Sequence, residues 1–511
     1  MNLLKALTMM SGMTLVSRVF GFIRDMVIAR TFGAGFAVDA FTVAYRLPNF
    51  LRRIFAEGAF AQSFVPILTE YKQLKDTEST RLFLAKVSGL LSLVLIIVTA
   101  VGIVAAPWIM WVSAPGFENE PEKFDLAVQL LRITFPYILF ISLSSLASSI
   151  LNTWNQFAIP AFAPTLLNVT SIICALFLAP YCHPPILALS IAVFIGGFLQ
   201  LLLQLPYVKN IGMLVVPNFH FKDSAVWRLV SQMGPAIFGV SVAQLSLVIN
   251  TIFASFLVSG SISWIYYADR LMELPVGLLA ASLGTVLLPL LSKHAIDRNP
   301  QHFNLLLDWA IRLSLVLALP ASVGLAVLSM PIIQTLFMYG QFTYYDAQMT
   351  QQALMAYSVG LVGIMLVKVL APSFYVMRDM KTPVKLAVLS LVLTQLMNGL
   401  FVWHLRHAGL SLSIALGAIF NATMLWVFLR KRQLYQPNPG WVAFLSQLVL
   451  AIGAMAAVLV LLQVYLPCQW DGTFWQRAAW LIVLVVAGGA TYFAVLYATG
   501  LRLRQLTYRI E

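Results

Sequence analysis

Charge is what this chain has little of: Asp, Glu, Lys and Arg make up 10% of its 511 residues, while 60% are hydrophobic. A water-soluble chain keeps roughly a quarter of its residues charged. The shortage excludes an ordinary soluble domain and requires most of the surface to face lipid. Cysteine is scarce too. Cys174, Cys182 and Cys468 lack CxxC spacing, and the six histidines form no HExxH pair. Neither a disulfide framework nor a metal site is expected, and no other cofactor is implied. The histidines fall in loops or at the ends of expected helices, where an interfacial role is the simpler reading. A GxxxxGK[ST] loop is absent, so ATP hydrolysis by this chain is not expected. Gly33 and Gly35 follow no strand and mark a turn rather than a dinucleotide fingerprint. The apolar stretch after Lys5 has the look of a signal peptide, but Arg18 and Arg24 interrupt it and no clean cleavage site follows. It is read as a retained first helix.

Long apolar runs are what the chain has instead. About 20 apolar residues cross the hydrocarbon as a helix, whereas barrel strands are short and alternating. Runs bounded by glycine, proline and charge predict helices at 8–32, 36–64, 86–112, 126–151, 160–180, 186–206, 227–258, 265–291, 305–329, 351–375, 384–403, 409–429, 441–466 and 478–499. The fold class is therefore an all-α polytopic membrane protein of about fourteen transmembrane helices.

The net charge of +13 would suggest nucleic acid in a soluble protein. Here the cations follow membrane topology, and no nucleic-acid partner is expected. Alternate loops and both ends hold most of them, among them Lys72, Lys75, Arg81 and Lys86, then Lys209, Lys222 and Arg228, Lys293 and Arg298, and Arg430 to Arg432. Arg378, Lys381, Lys385, Arg502, Arg504 and Arg509 belong to the same set. The opposite loops and helix ends carry only Arg30, Lys123, Arg132, Arg406 and Arg477, and one of them, 113–125, is acidic. Positive residues stay inside, so both termini are expected in the cytoplasm.

A weak internal repeat recurs near 222 residues. LSLVL at 91–95 returns at 313–317, each followed by Val-Gly; Pro66 matches Pro289, Pro160 matches Pro383, and Arg46-Leu47 matches Arg270-Leu271. A six-helix unit repeated in parallel predicts two pseudo-symmetric lobes, 1–208 and 209–432, with a substrate site between them. Residues 433–511 hold two further helices without charge, suited to lipid or to a lipid-like part of a substrate.

Eight cations remain inside the expected spans: Arg18, Arg24, Arg46, Arg52, Arg53, Arg270, Arg312 and Lys368. Each costs roughly 2.5–3.5 kcal/mol at a helix centre, and such residues usually face a bundle interior or watery path. The acids nearby, Asp25, Asp39, Glu57, Asp269, Glu273 and Asp308, are fewer. A cationic cavity selects an anion. The preponderance of arginine favours phosphate or carboxylate, which its planar fork binds in pairs. Arg312 is expected to pair locally with Asp308 at four-residue spacing. Arg46 and Arg53 are as readable as structural residues, snorkelling or pairing with Asp39, as they are as lining of the cavity.

Several stretches then become recognisable. SRVFGFIRDMVIARTFGAG (17–35), DAFTVAYRLPNFLRRIFAEGAFAQSFVPILTEY (39–71), YYADRLMELPVGLLAASLGTVLLPLLS (266–292) and APSFYVMRDMKTPVK (371–385) closely resemble the MurJ/MviN family of lipid II flippases. The resemblance covers essentially the whole chain. It implies a member of the MOP exporter superfamily with two six-helix lobes plus two extra C-terminal helices. It implies transport rather than catalysis: movement of undecaprenyl-diphosphate-linked lipid II across the bacterial inner membrane by alternating access. It carries a substrate-binding role to Arg18, Arg24, Asp25, Asp39, Arg52, Arg270 and Lys368. The implied partners are lipid II, membrane lipids and the cell-wall synthesis machinery. The competing functions are flipping of another lipid-linked polysaccharide precursor and, less suited to a basic cavity, multidrug export on the same fold.

Overall fold

A computed structural model describes residues 3–53, 59–220, 223–296, 300–465 and 472–501. Glu57, Lys222, Arg298, Cys468, Arg502, Arg504 and Arg509, named above, lie outside them. Among the described residues every regular element is helical, and nine helical stretches are long and apolar enough to cross a membrane. The chain divides into two compact units, Met1–Ser263 with Gly340–Phe342, and Trp264–Tyr339 with Thr343–Glu511.

The first unit holds α1 (Leu3–Phe32), α2 (Phe36–Arg52), α3 (Ala59–Leu74), α4 (Thr77–Val104), α5 (Ala106–Ser113), α6 (Pro121–Thr134), α7 (Tyr137–Thr153), α8 (Ala158–Ile173), α9 (Leu187–Asn210) and α10 (Ser224–Ser255). The second holds α11 (Ser261–Ile296), which begins at the boundary, α12 (Pro300–Val327), α13 (Ser329–Leu336), α14 (Tyr344–Val376), α15 (Lys381–Lys431), α16 (Trp441–Tyr465) and α17 (Phe474–Ala498).

Two expected helices are each built in two pieces. Of the helix expected at 36–64, the described residues are α2 and α3, and α3 runs on to Leu74. The one at 86–112 starts nine residues earlier and breaks at Ala105 into α4 and α5. The one at 126–151 breaks at Phe135–Pro136 into α6 and α7. Proline removes a backbone donor and clashes with the preceding turn, so an apolar run does not guarantee an unbroken helix. The helices expected at 384–403 and 409–429 join in α15, which has one non-helical residue, Arg406, at φ 51°.

The repeat is sharper in the backbone than in the sequence. A helix of 28 residues, a one-residue break and a helix of 8 residues form α4 and α5, and the same arrangement forms α12 and α13. The starts, Thr77 and Pro300, are 223 residues apart. The next helical stretch is 33 residues in both halves, Pro121–Thr153 and Tyr344–Val376, again shifted by 223.

Each unit has its own core. In the first, Phe60, Phe64 and Phe83 stack beside Leu68 and Leu151. In the second, Leu306, Leu307 and Ala310 of α12 pack with Met365 and Phe374 of α14 and Leu425 of α15. A separate cluster joins α16 and α17 to α12 through Leu448, Met455, Leu459, Leu484, Tyr492 and Val316. The linker after α9 lies on α4, where Asn218 N–H donates to the Ala85 carbonyl and Lys86 bonds Asp223 at 2.7 Å. Gly89 allows that approach, since a Cβ there would stand 2.1 Å from the Asn218 carbonyl oxygen. The Lys86 hydrogen bond holds the Asp223 carboxyl below the ordinary carboxylate range.

Candidate functional site: cations held by neutral partners

On α1, Ser17, Gly21 and Arg24 recur at helical spacing and face α8. Arg24 Nη1 donates to Asn168 Oδ1 at 3.0 Å, and Asn168 Nδ2 donates to the Ser17 carbonyl at 3.1 Å. Arg24 Nε and Nη2 both reach Asp25 Oδ1, at 3.0 and 2.7 Å. Arg24 and Asp25 therefore form an ion pair, with Asp25 buried. Arg18, nearly two turns earlier, is exposed.

The α2 cations meet uncharged groups. Arg46 donates to Thr251 Oγ1, Arg53 Nη1 to Gln244 Oε1 at 3.1 Å, and Arg52 Nε to Asn49 Oδ1 at 2.9 Å. Positions 46 and 53 are two turns apart on α2, and 251 and 244 two turns apart in reverse on α10, so they form rungs between antiparallel helices. Such partners satisfy donors without cancelling charge.

Asp39 stands apart from these arginines. It is 1% exposed and accepts from Lys123 Nζ (3.2 Å), Gly260 N–H (2.7 Å), Ser263 N–H (2.8 Å) and Ser263 Oγ (2.6 Å). Lys123, which reads as a loop residue in sequence, is also 1% exposed; its ammonium bonds Ser259 Oγ and lies over the Phe117 ring. A buried charge needs a partner and hydrogen bonds together, and this knot supplies both.

In the second unit, Arg270 Nη1 bonds Glu273 Oε2 at 2.7 Å and lies over Tyr266. Lys368 is exposed on α14 and makes no ion pair among the described residues. Arg312 pairs with Asp308 at 2.9 Å, as its spacing predicts, and Asp308 also accepts from Tyr435 and Trp441. His407 corrects the interfacial reading of the histidines: it is buried, its ring meets Trp264 edge-on, and Nε2 is 2.8 Å from the Met349 carbonyl.

Sequence reading passed over Asn168, Gln244, Thr251 and Lys123. The first three carry no charge, and the search weighed charge alone. An amide or hydroxyl inside an apolar run is the signal that would have found them.

A family model described as "Lipid II flippase MurJ" matches residues 28–478. The chain is 46% identical over 509 residues to the "Lipid II flippase MurJ" of Burkholderia cenocepacia, covering 98% of each. It is 41% identical over 521 residues to the "Probable lipid II flippase MurJ" of Vibrio cholerae, covering 100% of this chain and 98% of that one. A solved "Lipid II flippase MurJ, inward closed conformation" aligns at a TM-score of 0.80 and 28% identity, covering 95% and 97%. An inward-facing MATE-family multidrug transporter of the MOP superfamily aligns at 0.67 and 15% identity over 82% of this chain and 98% of its own, a likeness of fold alone. The chain belongs to the family of the lipid II flippase MurJ.

Proposed function

We propose that this chain moves lipid II from the cytoplasmic to the periplasmic leaflet of the bacterial inner membrane by alternating access, leaving the lipid chemically unchanged. The reading is carried by the similarity to lipid II flippases over nearly the full chain. The chemistry of the spans supports it. Diphosphate and peptide carboxylates need donors that stay charged, and Arg18, Arg24, Arg52, Arg270 and Lys368 supply them, with Asp25 holding Arg24 between substrates. Neutral partners such as Asn168 and Asn49 orient guanidiniums without spending their charge.

In this reading both termini are cytoplasmic, 1–208 and 209–432 are the two lobes of the repeat, and 433–511 borders the undecaprenyl tail. The 223-residue register supports the division into repeats. The membrane potential, worth roughly 2.3 kcal/mol per elementary charge per 100 mV, favours return of the empty cationic site toward the cytoplasm.

The test is leaflet accessibility of lipid II in cells depleted of the chain, probed with an enzyme that cleaves only periplasmically exposed lipid II. Cleavage is expected to fall on depletion and to return with wild type but not with Arg24→Ala. Unchanged cleavage on depletion would reject lipid II as the substrate.

A further inference from the structure

The proposed substrate site leaves open what keeps Arg24 in place when an anion arrives. Asp25 bonds the guanidinium edge formed by Nε and Nη2. That edge is also one a phosphate oxygen pair binds best. Carboxylate and phosphate therefore compete for it. An arginine that released Asp25 with no other tether would regain several rotamers, at a cost to binding.

Asn168 is the second tether. Its Oδ1 accepts from Nη1, on the other side of the guanidinium from the contested edge. Its own Nδ2 is anchored on the Ser17 carbonyl, two turns before Arg24 on the same face of α1. The two bonds fix the amide's orientation, because an arginine requires the oxygen and a carbonyl requires the nitrogen. Gly21 lies between them, and a Cβ there would stand 3.4 Å from Nδ2. The small residue lets the amide lie close against α1, as small residues do between membrane helices.

We propose that Asn168 is a positioning residue for substrate: a neutral pivot that holds Arg24 while its Nε/Nη2 edge exchanges Asp25 for a phosphate of the lipid-linked diphosphate. The assignment rests on the reading of Arg24 as a phosphate-binding residue. Neutrality is the essential property. A carboxylate at 168 would hold Arg24 equally well but would oppose the incoming anion.

The experiment measures binding of lipid II to the purified full chain in detergent micelles for wild type, Asn168→Leu, Arg24→Ala and the double variant, with thermal unfolding of each. Leucine keeps the branching and the number of heavy atoms and removes both hydrogen bonds. Asn168→Leu is expected to weaken binding about 5–10-fold, Arg24→Ala about 30-fold, and the pair no further than Arg24→Ala, because residues acting as one unit are not additive. Asn168→Gln, with the same amide on a longer stem, should recover at least half of the lost affinity and serves as the probe if the leucine variant does not fold. Wild-type binding by Asn168→Leu, or a loss that adds fully to that of Arg24→Ala, overturns the pivot and leaves the Arg24 reading intact. Wild-type binding by Arg24→Ala overturns both.

Discussion

The two halves of the repeat share a frame and use it differently. Position 123 in the first half is Lys123, and 223 residues on stands Asp346. Both are buried at the start of a 33-residue stretch, and each bonds a residue of another helix of its own unit. Lys123 bonds Asp39 of α2 in a buried ion pair, whereas Asp346 accepts from the Trp264 indole of α11 and caps its own helix through Thr343. The cations further along differ in the same way. Arg46 and Arg53 of the first half meet a hydroxyl and an amide, while Arg270 and Arg312 of the second meet carboxylates. The shared frame sets where these stretches begin; it leaves the sign of the charge to each copy.

The largest break in that comparison comes from the ion pair. Asp39→Asn or Lys123→Gln leaves one buried charge without its counterpart, at a cost of about 3–5 kcal/mol. Thermal unfolding in detergent should show a deep loss for each single variant and partial recovery for the double, a recovery that Asp346→Asn with Trp264→Phe should not reproduce.

Next in size is the helix break. Pro136 separates α6 from α7, and its counterpart one register on is Val359, inside the continuous α14. Val359→Pro removes an intrahelical bond and should cost about 3 kcal/mol, while Pro136→Ala should change stability by less than about 1 kcal/mol, since the chain already turns there. Equal losses from both would mean that the break at Phe135–Pro136 serves packing rather than proline chemistry.

The smallest effect lies outside the spans. Asp379, between α14 and α15, is held down to about 2 by hydrogen bonds from the Thr382 hydroxyl and N–H, then by Arg432. A depressed carboxyl contributes above its unfolded value of 3.8 and loses that contribution as pH falls toward 2. The stability difference between wild type and Asp379→Asn should therefore stay level from pH 5 to 8 and shrink only below about pH 4.

These contrasts also show what was legible before any coordinates. Hydropathy gave the all-helical membrane class, because lipid demands long apolar helices, and nine such stretches stand among the described residues. It did not see the breaks at Ala105 and Phe135–Pro136, since a broken run is as apolar as a continuous one. Spacing found Arg312 with Asp308. It could not find Lys123 with Asp39, whose residues are 84 apart and meet only through the packing of α6 on α2. Asn168 was passed over for a different reason. An amide inside an apolar run marks it as a candidate, but its role comes from geometry, an amide aimed at a guanidinium 144 residues away.

The extra C-terminal pair, α16 and α17, is fastened at both of its outer ends. Before α16, Tyr435 and Trp441 converge on Asp308 of α12, and Arg312 reaches the carbonyls of Asn438 and Pro439. At the start of α17, Arg477, 7% exposed, donates to the carbonyls of Gln334 and Met338 at the end of α13. A rod clamped at one point can swing; one clamped at two points on the same body cannot. Any displacement of α12 and α13 would therefore carry the appended helices with it as one body, rather than let them slide past.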